Sequence, residues 1–239
     1  MIPKIIHYCW FGRDEMPQLA KDCIASWQKY MPDWEYRLWN EDSFDVNGVP
    51  YTKEAYEAKK FAFVSDYVRL WALYNEGGLY LDTDVEVFKS FDTLFDYRAF
   101  AGFEGSKHLP VGTCVMASES HGEWVLEMLE AYKDRHFVFP DSSFDLTTNV
   151  QFITAKMREN GFVQNGKEQD YKDLHIFPVD YFCPRQTTGE YFKTVNTYCE
   201  HLGLGSWTEG GGGWKTKIGE MVGERNMTNL IKLKRKLFG

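Results

Sequence analysis

The sequence lacks a glycine-rich phosphate loop. Neither G-x-x-x-x-G-K-[ST] nor a G-x-G-x-x-G after a strand occurs among its 20 glycines, so kinase, P-loop and dinucleotide-binding readings lose their main support. Cysteine is sparse and scattered. Cys9, Cys23, Cys114, Cys183 and Cys199 are odd in number and show no C-x-x-C spacing, which leaves zinc sites and thioredoxin-like chemistry unsupported and fits reduced thiols in a cytosolic protein. No run of about 18 apolar residues is present, so no transmembrane helix is expected. The N-terminus has no basic segment followed by a long apolar one, so no signal peptide is expected. Basic residues are the minority, 27 against 35 acidic, for a net charge of −8. A nucleic acid partner is therefore not expected. The deficit is uneven. Residues 225–239 hold Arg225, Lys232, Lys234, Arg235 and Lys236 and no acid, which leaves 22 basic against 35 acidic residues, a balance of −13, in residues 1–224.

What remains is a chain of 239 residues, 44% hydrophobic, with 18 Phe, 14 Tyr and 8 Trp. It is long enough for a substantial core and favours one domain over residues 1–224, followed by a basic tail at 225–239. Residues 2–10 read as a buried strand, 17–30 as a helix with Leu19, Cys23, Trp27 and Tyr30 at helical spacing, and 34–39 as an alternating strand. One long helix is expected over 53–74, with Phe63, Tyr67, Leu70, Trp71 and Tyr74 on its apolar face. Asn75-Glu76-Gly77-Gly78 stops it, because glycine accepts a left-handed cap. Further strands are expected at 79–82, 99–103, 113–117 and 174–179, and helices at 121–135 and 147–160. Strands alternating with helices predict an α/β fold with crossover connections around a largely parallel sheet.

The chemistry gathers after the strand at 79–82, in Asp82-Thr83-Asp84. Ligands of open α/β sheets collect at the carboxyl ends of strands. In extended backbone, residues two apart face the same side, so two carboxylates can address one hard cation; Mg²⁺ takes one or two carboxylates plus substrate phosphates. Taken alone, a bare D-x-D is better explained as two solvated turn acids. Asp66 and Arg69 share a face of the long helix, among Phe63, Val64, Tyr67, Val68, Leu70 and Trp71. Those apolar surroundings predict a partly buried ion pair, where charge needs a reason.

Three ordered segments resemble a known family. They are the opening Ile2-Pro3-Lys4-Ile5-Ile6-His7-Tyr8-Cys9-Trp10-Phe11-Gly12, the central run from Ser65 to Asp84, and His201-Leu202-Gly203-Leu204-Gly205-Ser206-Trp207. Together they are similar to glycosyltransferase family 32, the D-x-D sugar-binding-region enzymes, which include capsular polysaccharide transferases and fungal mannosyltransferases; clostridial glucosylating toxin domains are more distant. The resemblance implies a GT-A fold with a mixed, mainly parallel central sheet and flanking helices. It implies a retaining, metal-dependent transfer of a hexose from a nucleotide sugar, with a UDP-linked donor expected, to a hydroxyl of a bacterial surface glycan or lipid-linked oligosaccharide. Asp84 would ligate Mn²⁺ or Mg²⁺, with His201 and Ser206 completing the metal site. Asp82 would contact ribose or donor sugar, Asp66 and Arg69 the donor hydroxyls or diphosphate, Trp10 the nucleobase and Trp207 the diphosphate. This chain has Leu202 where family members often carry a second histidine.

The glycine-rich stretch 203–214 could close over a bound donor and exclude water. Lys215 and Lys217 could reach the leaving diphosphate. Thr148 and Asn149 could touch the sugars, although helix capping explains them too. In the tail, Met227, Leu230, Ile231, Leu233, Leu237 and Phe238 interleave with the basic residues, a pattern suited to an anionic membrane. Attachment at the cytoplasmic membrane face is the corresponding expectation. Two alternatives stay open. A haloacid-dehalogenase-like phosphatase also places D-x-D after a strand, with Asp170 and Asp173 as its later acids. A non-catalytic carbohydrate-binding module would use the abundant aromatics and no metal.

Overall fold

The computed structural model describes residues 1–105, 110–185 and 191–203. Its strands are β1 (Ile5–Cys9), β2 (Glu35–Trp39), β3 (Gly78–Leu81), β4 (Val85–Val87), β5 (Ala99–Phe103), β6 (Val111–Ser118), β7 (Gln169–Tyr171), β8 (Leu174–Phe177) and β9 (Cys199–His201). Its helices are α1 (Gln18–Tyr30), α2 (Pro50–Glu57), α3 (Phe61–Glu76), α4 (Glu123–Tyr132) and α5 (Asn149–Glu159). Seven strands form one sheet in the order β2-β1-β3-β6-β5-β8-β7, and β4 pairs with β9 in a separate ribbon. No helix of the described residues is long and apolar enough to cross a membrane.

The expected α/β architecture, a mixed central sheet with flanking helices, is present. The parallel share is smaller than expected. β1 runs parallel to β2 and β3, and β5 to β8, whereas β3–β6, β5–β6 and β7–β8 are antiparallel. The reason is local: β5–β6 and β7–β8 are joined by short connections, which permit only antiparallel return.

The sheet separates two cores. Period-two alternation sends Leu79, Leu81, Val115, Ala117 and Phe100 to the side covered by α1 and the β4–β9 ribbon. Tyr80, Met116, Ala99 and Ala101 go to the side covered by α3, α4 and α5. Trp27 of α1 is fully buried, and its Nε1–H donates to the carbonyl of Val85 at 2.7 Å. Burying such a side chain contributes about 1.5–3 kcal/mol. Ser26 Oγ accepts from Val87 N–H at 2.9 Å, so α1 fixes β4 from two successive residues.

The single helix expected over 53–74 is two helices. Lys59 adopts φ +57°. Lys60 N–H donates to Ala55 O and Lys59 N–H to Tyr56 O, both at 2.9 Å. This pair of bonds is a Schellman closure, made here without glycine, and it re-aims the chain so that α3 can lie on the sheet. The stop at Gly77 is as expected. Gly77 has φ +68° and Gly78 φ +119°, and Gly77 N–H donates to Leu73 O at 3.0 Å. Beside this turn, His7 is fully buried. Its Nε2–H donates to Gly77 O at 2.7 Å, and its Nδ1 accepts from Trp39 Nε1–H at 3.1 Å. One imidazole thus ties β1, β2 and the turn that launches β3.

Candidate active site

A cavity of about 380 Å³ opens at the carboxyl ends of β1 and β3, with Asp82, Asp84, Asp66, Arg69, Trp10, Asn149 and His201 all in its wall. These come from five separate stretches of sequence, and the fold brings them together.

The D-x-D is not extended. Val85 N–H donates to Asp82 O at 3.0 Å, so residues 82–85 form a turn that passes the chain from β3 into β4. The turn arises because β3 belongs to the main sheet and β4 to the ribbon. Asp82 stays on the Tyr80 side of β3: Tyr80 Oη–H donates to its Oδ1 at 2.9 Å. Asp84 is carried to the ribbon, where its carbonyl accepts from Leu202 N–H at 2.9 Å and its Oδ1 meets His201 Nε2 at 3.2 Å. Ligand atoms of Asp82, Asp84 and His201 all lie within 4.8 Å of one another. Two carboxylates and an imidazole are donors that Mn²⁺ or Mg²⁺ accept, so the residues present fit the cation that the family resemblance implies. Burial pulls the His201 imidazole down, but the charge of Asp84 and contact with Cys114 more than reverse this and hold it well above its ordinary value.

Arg69 is the hub beneath this group. It is 5% exposed. Its Nε–H donates to Ser65 O at 3.2 Å, and Nη1–H to Thr113 O at 2.7 Å. Nη2 pairs with Asp66 at 3.0 Å and Nη1 with Asp82 at 3.3 Å. The guanidinium also lies over the Tyr80 ring, 4.6 Å from its centroid. The expected buried pair of Asp66 and Arg69 is therefore present, and the same guanidinium also reaches Asp82, Ser65 O and Thr113 O while lining the cavity. Burial pushes the Asp66 carboxyl up to about 7, against the pull of Arg69.

Asn149, at the start of α5, is buried and held on both sides. Its Nδ2–H donates to Asp66 O at 3.4 Å, and its Oδ1 accepts from Tyr132 Oη–H at 3.1 Å. Thr148 before it forms a capping box with Gln151. Trp10 Nε1–H donates to Asp14 O at 2.7 Å, which fixes the indole at the rim. Ser206, Trp207, Lys215 and Lys217, the loop 203–214 beyond Gly203, and the tail 225–239 lie outside the described residues.

Glu104, Thr113 and Cys114 also line the cavity and were not singled out from the sequence. Glu104 follows β5, an uninterrupted buried strand, and burial raises its carboxyl. An acid placed directly after such a strand was the available signal. The phosphatase alternative loses its second pair of acids. Asp173 caps α4, accepting from Glu123 N–H at 2.8 Å and Trp124 N–H at 2.9 Å. Asp170 pairs with His175 at 2.6 Å. Neither belongs to the cavity wall.

Residues 17–101 match a family model described as "Glycosyltransferase sugar-binding region containing DXD motif". The match falls on the segment carrying Asp66, Arg69, Asp82 and Asp84 and supports the family-level resemblance read from the sequence. The chain is similar to inositol phosphoceramide mannosyltransferase 3 of Schizosaccharomyces pombe, 35% identical over 103 residues, which cover 41% of this chain and 29% of that protein. It is similar also to mannosyl phosphorylinositol ceramide synthase SUR1 of Saccharomyces cerevisiae, 26% identical over 161 residues, covering 65% and 41%. The chain thus spans less than half the length of these curated relatives. Among solved structures, the PaToxG glycosyltransferase aligns with a TM-score of 0.49 at 15% identity, covering 67% of this chain and 70% of that one.

Proposed function

We propose that this chain, which carries the D-x-D glycosyltransferase sugar-binding region, is a metal-dependent glycosyltransferase that moves a hexose from a nucleotide sugar to an acceptor hydroxyl. The observation that carries this reading is the convergence of Asp82, Asp84 and His201 above the Asp66–Arg69 pair in one cavity.

In this reading Asp84 and His201, with Asp82, hold Mn²⁺ or Mg²⁺. Bound there, such a cation would supply positive charge to a leaving diphosphate. Arg69, paired with Asp82 at 3.3 Å, holds that carboxylate at the cavity wall. Asp66 and the Asn149 amide offer acceptor and donor atoms to sugar hydroxyls. Trp10 at the rim presents a flat face for the base.

A UDP-linked donor and a bacterial surface glycan were the expectations from sequence. The relatives' names speak of mannosyl transfer to inositol phosphoceramide. An acceptor hydroxyl on a lipid-linked polyol or glycan accommodates both. The basic, apolar-interleaved segment 225–239 suits such an acceptor by contact with anionic membrane at its cytoplasmic face. Sedimentation with anionic liposomes tests this: the full chain should pellet and a 1–224 truncation should not, whereas equal negligible binding refutes it.

The test of function is nucleotide release from a panel of UDP- and GDP-sugars, with Mn²⁺ or with chelator, for wild type and Asp84→Ala. Slow hydrolysis of one donor, lost with chelator and in the variant, is the expected result. Absence of release and of donor binding with every metal overturns the reading.

A further inference from the structure

A second group of donor atoms stands beside the D-x-D. It comprises Glu104 just after β5, Cys114 in β6, Cys183 after β8 and His201 at the end of β9, and their ligand atoms all lie within 4.8 Å of one another. The two sulfurs are 3.4 Å apart. Both cysteines are buried and reduced. Glu104, Cys114 and His201 line the cavity, which gives a small ion a way in.

The donor set differs in kind from its neighbour. Two carboxylates suit a hard cation. Two thiols with an imidazole and a carboxylate are the ligand types of zinc. Two thiolates on a tetrahedral zinc, each at about 2.3 Å, stand about 3.8 Å apart, so the observed sulfur spacing needs only a small adjustment. Sequence spacing gave no hint of this, since the four residues are dispersed over nearly a hundred positions and only the sheet and ribbon assemble them.

We propose that Glu104, Cys114, Cys183 and His201 form a second, thiophilic divalent-cation site, with Zn²⁺ as its occupant. On binding, each thiol gives its proton to solvent and forms a sulfur–metal bond, with no change of oxidation state. His201 is shared: its Nε2 faces Asp84 at 3.2 Å, and its ligand nitrogen lies within 4.8 Å of the Cys114 sulfur. Zinc held by the thiolates draws this imidazole away from Asp84. Occupancy of one site thereby weakens the other, a consequence that rests on the proposed transferase reading, whereas zinc binding itself does not.

The experiment titrates the full chain, kept reduced with a phosphine, with Co²⁺ as the spectroscopic stand-in for Zn²⁺. A thiolate-to-cobalt charge-transfer band should rise to saturation at one ion per chain and collapse on adding Zn²⁺. The band should persist in Asp82→Asn. It should vanish in Cys114→Ser and Cys183→Ser, with circular dichroism confirming their fold, and Glu104→Gln should weaken binding by about tenfold or more. In wild type, Zn²⁺ should protect Cys114 and Cys183 from alkylation, as mapped by mass spectrometry, and this holds even where a cysteine variant fails to fold. No thiolate band in folded wild type, or a band that survives both cysteine variants, overturns the proposal. Donor hydrolysis with Mn²⁺ is measured separately, so its absence alongside an intact band refutes the transferase reading and leaves the zinc site standing.

Discussion

His201 Nε2 stands 3.2 Å from Asp84 Oδ1, across a ribbon in which His201 is the register partner of Val85. Two residues more than a hundred positions apart are thus fixed by three backbone pairs rather than by side-chain chance. The ribbon is fixed in turn by Trp27 and Ser26 of α1, which hold Val85 and Val87.

Asp84→Asn should lower metal-dependent donor hydrolysis by about 100-fold or more, since the cation's charge stabilisation amounts to several kcal/mol. His201→Gln should be milder, raising the Mn²⁺ concentration for half-maximal rate by about tenfold. Initial rates across a Mn²⁺ series check both.

Arg69→Lys keeps the charge and loses the fork. Ser65 O and Thr113 O would lose a donor, and Asp66 and Asp82 would no longer be held by one planar group. A loss of about 1–3 kcal/mol in urea unfolding is expected, with a fall in kcat larger than any rise in KM. A variant of wild-type stability and kcat would show that the hub is dispensable.

Gly78→Ala should destabilise the chain by about 1–3 kcal/mol or more. Its φ is +119°, and an added Cβ would lie 2.7 Å from Ile5 O and 3.0 Å from His7 Nε2. The damage falls on the start of β3, the strand that delivers Asp82. Thermal unfolding measures it.

His7 gives a pH dependence. Burial lowers its imidazole below the ordinary 6.5, outweighing the bond to Gly77 O that raises it. The unfolded chain therefore takes up a proton before the folded one does. The stability that His7 contributes is full above about pH 6.5 and is lost as pH falls through the window below it. His7→Gln should flatten the decline in stability between about pH 7 and pH 5. An unchanged slope would show that His7 does not set it.

Much of the site was legible because its signals are local. Asp66 and Arg69 three apart amid apolar neighbours announced a buried pair, and Asp82 after a short apolar strand announced a carboxylate at the carboxyl end of the sheet. Gly77-Gly78 marked the turn between them. Local signals failed where the tertiary path intervened. The interval at 53–74 contains no Gly or Pro, so nothing marked the break at Lys59, which adopts a left-handed conformation to seat α3 on the sheet. The D-x-D was expected in extended backbone, and it turns because β3 and β4 belong to different sheets.

By itself the sequence determined the alternation that gives the sheet two apolar faces, the helix that pairs Asp66 with Arg69, and the acids that end β3. Residue type and near-neighbour spacing suffice for these, because burial periodicity and i,i+3 geometry are properties of single elements. Only the tertiary structure decided that Arg69 pairs with Asp82, that His201 meets Asp84, and that the ligand atoms of Glu104, Cys114 and Cys183 come within 4.8 Å of one another. Those contacts depend on strand order and register, and hydrogen bonds between distant strands set both.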